Sequence, residues 1–387
     1  MLAHSPPLPL VIDYHDHDIT AEDEEAIILA LEQRHRVRRV RFHLPALKLQ
    51  KLIPAIDGEY PILNYLILAD PPKDKNTVLI LPKTLVAPHL RHLAINCSIP
   101  IHFPLLTTAI GLVTLHLALY DPSTYFQPNV LLQLLSSTYQ LERLLIFFDF
   151  PVPNRDVERQ LIRMPITTRI TLPILRTFAF KAASAYSEAV FSRIIAPHLE
   201  NLQVSYLQQL TFSVPCLLQF MNTENFKFDR AEFNFYSERV YVEVNPPETN
   251  MPVATFSIII DSSHLDWQVS SVAQIFNSLS QIFTAVEHLT LMHTTYSLSS
   301  EEHNEVDRSE WRKLLRSFGN VKTLHVDDGL VGELSRCLQL DDGELPLELL
   351  PDLQELTYSG NDDAGGAFTP FIYTRQNAGR PVTLTKV

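Results

Sequence analysis

The sequence predicts an α/β solenoid in which strand-and-helix units repeat about twelve times at irregular length. An apolar triplet recurs along the chain, the segments between triplets have helical periodicity, and prolines often precede the triplets. The clearest example is Leu90-Arg91-His92-Leu93-Ala94-Ile95-Asn96, with apolar residues at positions p, p+3 and p+5. This pattern is typical of leucine-rich repeats, whose period is about 20 to 29 residues. We therefore expect a horseshoe with a parallel concave sheet and helices on the convex side.

The triplets begin at Val37 and end at Tyr358, and their first residues are 22 to 35 positions apart. They are Val37/Val40/Phe42, Leu63/Leu66/Leu68, Leu90/Leu93/Ile95, Leu112/Leu115/Leu117, Leu141/Leu144/Ile146, Leu175/Phe178/Phe180, Leu199/Leu202/Val204, Phe228/Ala231/Phe233, Val253/Phe256/Ile258, Val286/Leu289/Leu291, Val321/Leu324/Val326 and Leu353/Leu356/Tyr358. The members that begin at Phe228 and Val253 fit least well. Side chains at p, p+3 and p+5 should point into the core, and those at p+2 and p+4 should lie on the concave face.

The elements follow in order. Leu8 to Tyr14 predicts a first strand, and Thr20 with Asp23 predicts the capping box of a helix from Ala21 to Arg34. Apolar residues at helical spacing predict further helices. These are residues 46–53, 130–135, 185–195, 267–285, 309–318 and 330–338, with a last helix over 367–376 and a last strand over 381–387. Prolines such as Pro61, Pro88 and Pro351 should stop the preceding helix and set an extended approach. We divide the chain into a capping segment (1–34), a solenoid (35–358) and a C-terminal loop, helix and strand (359–387).

Composition restricts the possible functions. Hydrophobic residues make up 46% of the 387 positions, which is enough for a large core. Glycine occurs only 10 times, which argues against glycine-rich phosphate loops. A net charge of −13 disfavours binding to nucleic acid or to anionic membranes. The sparse cysteines, at positions 97, 216 and 337, suit reduced thiols, and no apolar run is long enough for a bilayer. We expect a protein of the cytosol or nucleus, with no cofactor.

Three stretches carry alternative chemical interpretations. Residues 13–18, Asp-Tyr-His-Asp-His-Asp, contain metal-binding side chains, but a solvated loop is the simpler interpretation because strand residues alternate between faces. His325 and Asp327 would share one strand face and could form a general-base pair, although no nucleophile is nearby in sequence. The basic run of residues 36–41 could contact nucleic acid, or could be an ordinary partner-facing surface. The usual hydrolase, zinc-protease and nucleotide-binding motifs are absent from the sequence.

The p+2 and p+4 positions are polar and vary from repeat to repeat, so they are the candidate binding residues. They are basic near the N-terminal end and acidic near the C-terminal end, which suits an extended polar protein segment. The residues selected as the partner-binding set are Arg39, Arg41, Tyr65, His92, Asn96, His116, Arg143, Asn201, Gln203, His325, Asp327 and Glu355.

The chain resembles the fungal F-box/leucine-rich-repeat proteins, particularly those of mushroom-forming (basidiomycete-type) fungi. The resemblance rests on residues 8–13 with 36–40, on Ala-Pro-x-Leu-x-x-Leu at 87–93 and 196–202, and on residues 375–384, Arg-Gln-Asn-Ala-Gly-Arg-Pro-Val-Thr-Leu. It covers nearly the whole chain. It implies substrate selection for an SCF (cullin-RING) ubiquitin ligase. We also expect the protein to be monomeric and non-enzymatic.

Family members normally begin with an F-box of roughly fifty residues, and this chain is already at the following strand by Leu8. We therefore expect a truncated member or a relative without the box. Docking to the ligase adaptor would require an F-box encoded upstream of Met1. The function predicted from the sequence is protein–protein interaction through the concave face, and the alternative is an interaction scaffold with no ubiquitin link.

Overall fold

The side chains of the apolar triplets are buried, as the sequence predicts. In the computed structural model Leu90, Leu93 and Ile95 are fully buried, and every other described triplet residue is at most 7% exposed. Val253 lies outside the described residues. The structure describes residues 8–16, 18–69, 81–96, 103–120, 127–149, 168–207, 209, 211–221, 226–246, 254–294, 308–339, 348–360 and 362–387. The chain is α/β and divides into two units, residues 1–199 and 200–387.

Unit 1, residues 1–199, contains a sheet whose seven described strands are all parallel, and this confirms the parallel part of the prediction. These strands, in spatial order, are β1 (Leu10–Tyr14), β2 (Val37–His43), β3 (Tyr65–Ala69), β4 (His92–Asn96), β5 (Thr114–Leu119), β6 (Arg143–Phe148) and β8 (Thr177–Ala182). A separate short pair joins β7 (Ile170–Thr171) and β9 (Ile194–Ile195). The helices are α1 (Ala21–Glu32), α2 (Ala46–Leu52), α3 (Phe103–Thr108), α4 (Pro128–Leu135) and α5 (Ser184–Phe191).

Successive repeats are held in register by a shared carbonyl at position p+1. The Asn64 carbonyl accepts the N–H groups of both Arg91 and His92, at 3.0 and 3.1 Å, in the next repeat. The Arg91 carbonyl does the same for Val113 and Thr114, at 2.8 and 3.0 Å. The same arrangement occurs at the carbonyls of Val113, Glu142, Asp229, Glu287 and Lys322. Each strand therefore aligns its position p with position p of its neighbour.

A tight turn leads into most strands. The N–H of Leu90 donates to the carbonyl of Ala87 at 3.1 Å, so Pro88 is the second residue of this turn. Leu63 and Leu353 close the corresponding turns around Pro61 and Pro351. Proline suits that position because its fixed φ matches the turn. The role assigned to these prolines from the sequence, an extended approach, was wrong, since they build a turn. We call the residues at p−2 and p−1 the tips of these lead-in turns.

Unit 2, residues 200–387, departs from the all-parallel prediction. Its eight described strands have the order β10-β13-β12-β11-β14-β15-β16-β17, and β12 runs antiparallel to both neighbours. The strands are β10 (Asn201–Tyr206), β11 (Arg230–Tyr236), β12 (Arg239–Asn245), β13 (Thr255–Asp261), β14 (His288–Thr294), β15 (Thr323–Val326), β16 (Glu355–Tyr358) and β17 (Thr383–Lys386). The helices are α6 (Pro215–Phe220), α7 (Leu265–Leu279), α8 (Arg308–Arg316), α9 (Asp328–Leu338) and α10 (Thr369–Asn377), with 3-10 turns at Phe283–Ala285 and Asp362–Phe368.

The physical reason for the departure lies in β12. Its sequence alternates polar and apolar residues, and Val240, Val242 and Val244 are fully buried, so the strand belongs to the same core as its neighbours. Only Ser237 and Glu238 separate it from β11, which is long enough for a hairpin and too short for a parallel crossover. The two weakest triplets belong to β11 and β13, the strands on either side of β12.

The first and last helices have capping contacts. Thr20 Oγ1 accepts the N–H of Asp23 at 3.1 Å and starts α1. At the other end Gly379, with φ of +74°, ends α10 in the left-handed conformation that glycine favours. Arg375 in α10 is fully buried and donates from Nη2 to the carbonyls of Pro351 and Leu353, at 3.0 and 3.1 Å. The 375–384 motif is therefore explained by the capping structure that it builds.

Candidate functional site: the polar faces of the two sheets

The p+2, p+4 and p+6 side chains of unit 1 form the surface that we call polar face 1. The strand registers align them in three rows. The first row is Arg39, Tyr65, His92, Thr114, Arg143 and Thr177; the second is Arg41, Ile67, Ala94, His116, Leu145 and Ala179; the third is His43, Ala69, Asn96, Ala118, Phe147 and Lys181. Most are half-buried and Arg143 is exposed, so a partner can reach them.

The first row is a continuous chain of contacts across four strands. The guanidinium of Arg39 lies over the ring of Tyr65, 4.2 Å from its centroid, in a cation–π contact. The Tyr65 and His92 rings are 5.6 Å apart, and His92 Nδ1 is 3.2 Å from Thr114 Oγ1. Burial, and then the charge of Arg91, lowers the pKa of His92 and so favours its neutral form. This chain of contacts therefore places the Arg39 cation beside flat polar rings, and Arg143 adds a second cation to the same row.

A cluster of charged and imidazole groups lies where β1 pairs with β2. His15 Nε2 is 2.5 Å from Asp13 Oδ1, and the His15 ring stacks on His43 with 4.7 Å between centroids. Arg41 Nε donates to His43 Nε2 at 3.2 Å, which requires that nitrogen to be unprotonated. Burial, then His15 and Arg41, lowers the pKa of His43. Arg39 Nη2 is 3.9 Å from Asp13 Oδ2, and Asp13 is also the register partner of Arg41.

The other two rows are less polar in their middle. The His116 ring meets Phe147 edge to face at 5.6 Å, and burial followed by the charge of Arg143 lowers the pKa of His116. Asn96 accepts a hydrogen bond from the Tyr120 hydroxyl. At the far strand Lys181 Nζ pairs with Asp149 at 2.7 Å. Polar face 1 thus has two cations at its β2 end, Arg39 and Arg41, and an exposed cation on β6, Arg143.

Polar face 2 is the corresponding surface of unit 2, and its registers also give rows. The first contains Asn201, Thr255, Arg230, His288, Thr323 and Glu355, and the second contains Gln203, Ser257, Glu243, Glu232, Thr290, His325 and Thr357. Two histidines pair with threonine hydroxyls, His288 with Thr323 at 2.7 Å and His325 with Thr357 at 2.9 Å. The hairpin separates Gln203 from His325 by four strands, so these two predicted residues are not brought together.

Sequence reasoning missed the hairpin residues on polar face 2. Glu232 and Glu243 lie directly opposite each other on antiparallel strands. Tyr241 donates to Glu243 at 3.2 Å and Asn234 donates to Glu232 at 2.7 Å. Burial, and then Glu243, raises the pKa of Tyr241. The alternation in residues 239–245 was the signal that could have identified this strand.

The His325 and Asp327 side chains have separate partners. Asp327 Oδ1 accepts from the Ser359 hydroxyl at 2.9 Å, and its Oδ2 accepts from the backbone N–H of His293 at 3.3 Å. Since His325 contacts Thr357 instead, the geometry gives no support to a general-base pair here.

Neither a metal cluster nor a membrane span is found in the part of the chain that the structure describes. No three His, Cys, Asp or Glu side chains in that part are grouped as metal ligands require, and His17 of the 13–18 segment lies outside it. None of the described helices combines the length and apolar character needed to cross a bilayer. No protein-family model and no curated protein matches this chain.

The two units differ sharply in charge. Residues 1–199 contain 19 Lys and Arg and 18 Asp and Glu, a net charge of +1. Residues 200–387 contain 12 and 26, a net charge of −14. The acidity of the whole chain therefore belongs to unit 2, and polar face 1 can attract an acidic partner that unit 2 would repel.

Proposed function

We propose that the chain is a non-enzymatic protein-recognition module, a leucine-rich-repeat solenoid whose polar face 1 binds an acidic segment of a partner protein. The observation that carries the proposal is the row Arg39, Tyr65 and His92. In this row the Arg39 guanidinium lies over the Tyr65 ring, and the Tyr65 and His92 rings are half-buried. These side chains are not part of the core, so core packing does not restrict which residues occupy their positions. Such arginine and tyrosine side chains are frequent anchors of protein interfaces.

The hydrogen-bonding state of Arg39 supports an anionic partner. Its Nε is buried with no acceptor among the described residues, and its nearest described carboxylate, on Asp13, is 3.9 Å away. Asp13 is also bonded to His15, so it neutralises the neighbouring cations only in part. The Arg39 side chain is 35% exposed, so a carboxylate of a bound segment would pair with the accessible part of its guanidinium or with Arg41.

The test is site-specific photo-crosslinking with the probe placed at Tyr65 in the full chain. We expect crosslinks to a protein, and we expect the Arg39→Glu/Arg41→Glu variant to lose them. Lys83→Glu is the matched control, because Lys83 is an exposed cation away from polar face 1. Crosslinking that is unchanged in the double variant would contradict the proposal, provided that circular dichroism shows a folded chain.

Within this function we propose that the chain is the substrate-binding part of an F-box-type SCF ubiquitin-ligase adaptor. The support is the sequence resemblance together with the buried triplets. The alternative is a scaffold with no ubiquitin link. The reading frame upstream of Met1 separates the two: an in-frame F-box favours the adaptor, and a stop codon without a box favours the scaffold.

A further inference from the structure

The lead-in turns of unit 1 expose bulky apolar side chains at their tips. Ile62, Ile110, Tyr139 and Ile174 occupy position p−2 or p−1 of four different turns and are 37%, 51%, 55% and 40% exposed. The turns close through backbone hydrogen bonds between p and p−3, as in Leu112 to Ala109 and Leu141 to Thr138. The fold therefore does not need an apolar side chain at a tip.

Unit 2 provides an internal comparison. The tips of three of its turns are Thr284 and Ala285, Gly319 and Asn320, and Pro351 and Asp352. These residues are small, polar or proline, and Phe226, which precedes Phe228 at position p−2, is buried. Exposed bulky apolar tips thus occur in four turns of unit 1 and in none of these turns of unit 2, and exposed apolar groups that recur along one edge are typical of a binding surface.

The tips of unit 1 enclose an open groove of about 700 Å³ on the edge where β3 to β6 begin. Ile62, Ile110 and Tyr139 supply apolar walls, and His89 and Arg91 lie between them. Arg91 is exposed and has no ion-pair partner among the described residues. Among the described residues that line this groove, it is the only Lys, Arg, Asp or Glu. The volume lies within the range of ligand-binding clefts.

We propose that this groove, separate from polar face 1, binds an extended segment of a partner protein that carries bulky apolar side chains and at least one carboxylate. The apolar side chains pack on Ile62, Ile110 and Tyr139, and the carboxylate pairs with Arg91. Charge complementarity selects this occupant, because the groove is cationic in its middle and apolar at its walls. A second copy of the chain is the alternative occupant, which sedimentation tests.

Peptide display on the full chain tests the proposal. Random peptides are selected on the native chain and counter-selected on Ile110→Ser/Tyr139→Ser, whose substitutions are exposed and should leave the melting temperature unchanged. We expect the surviving peptides to contain two or more bulky apolar residues and an acidic residue. The absence of any peptide that distinguishes the two chains, or survivors without an acidic residue, would overturn the proposal.

A charge swap then isolates Arg91. Fluorescence polarisation with one selected peptide should show roughly tenfold weaker binding to Arg91→Glu. A version of the peptide with lysine in place of its acid should bind that variant better than it binds the native chain. Equal binding of both peptides to the native chain and to Arg91→Glu would reject the role of Arg91.

Sedimentation tests whether a second copy of the chain is the occupant. Self-association of the native chain that Ile110→Ser/Tyr139→Ser abolishes would make a second copy the occupant and overturn the proposal. Arg39→Glu/Arg41→Glu should bind the peptide as tightly as the native chain does. Peptide binding to the groove can therefore be judged separately from partner binding to polar face 1.

Discussion

Units 1 and 2 are built on the same buried triplet but differ in strand order and in charge. Unit 1 adds parallel strands in sequence order. Unit 2 contains the antiparallel strand β12 and carries the whole negative charge of the chain. Both units bury aromatic side chains, in a cluster around Phe180 in unit 1 and in an aromatic block around Phe276 in unit 2. The triplet therefore determines which side chains of a strand are buried. The residues outside the triplet determine how the strand connects to the next one and which charges it exposes.

The largest effect should come from the aromatic block. Phe233 lies 5.1 Å from the Phe276 ring and 5.7 Å from the Phe318 ring, and it is fully buried. Phe233→Ala should reduce the free energy of unfolding by about 3–5 kcal/mol in urea denaturation, at least as much as Leu93→Ala in unit 1. Thr290→Ala on polar face 2 is the control, at no more than about 0.5 kcal/mol. A loss below about 1 kcal/mol for Phe233→Ala would show that the aromatic block is not the core of unit 2.

The buried arginine of unit 2 comes next. Arg375→Ala should cost about 2–4 kcal/mol, because two turn carbonyls lose their donor and a cavity remains. Arg375→Met fills the volume without the hydrogen bonds and should recover only part of this loss. Arg380→Ala, an exposed cation in the same motif, is the control. Thermal unfolding measures all three, and equal effects of Arg375→Ala and Arg380→Ala would refute the capping role.

A smaller effect of opposite sign is expected in the hairpin. Glu243→Gln removes a like-charge pair with Glu232 and should stabilise the chain by about 0.5 kcal/mol at low salt. The gain should disappear in high salt because exposed charges are then screened. Glu355→Gln is the matched control, since Glu355 lies beside Thr323 and Thr383. Destabilisation by Glu243→Gln at low salt would indicate that the Tyr241 hydrogen bond outweighs the repulsion.

The smallest effect concerns pH and should distinguish unit 1. The pKa values of His43, His92 and His116 are lowered in the folded chain, chiefly by burial. Near pH 6.5, the ordinary pKa of histidine, the unfolded chain therefore binds more protons than the folded chain. The free energy of unfolding is highest above about pH 6.5 and decreases as the pH drops below it. Replacing all three with glutamine should flatten urea-unfolding stability between pH 7.5 and 5.5. Any change in slope above pH 8, where the histidines are neutral in both states, would contradict this explanation.

The sequence predicted the strands well because burial of p, p+3 and p+5 is a local pattern. It also predicted which residues lie on the polar faces, and all twelve candidate residues are described and accessible in part or fully. It did not predict β12, because this strand alternates polar and apolar residues with a period of two instead of following the triplet spacing. Contacts such as Arg39 over Tyr65 depend on side-chain rotamers, which no spacing determines. The groove was missed because the tips lie outside the triplet.

The shared carbonyl at p+1 has a consequence for how such a chain can change. Two hydrogen bonds to one carbonyl fix the first residues of seven described strands, so the length of the segment that connects such a strand to the previous one does not set its register. Insertions and deletions in that segment should leave the alignment of the strands intact, which accounts for separations that range from 22 to 35 residues. A foreign loop inserted between two such strands should therefore leave the register of the other strands unchanged.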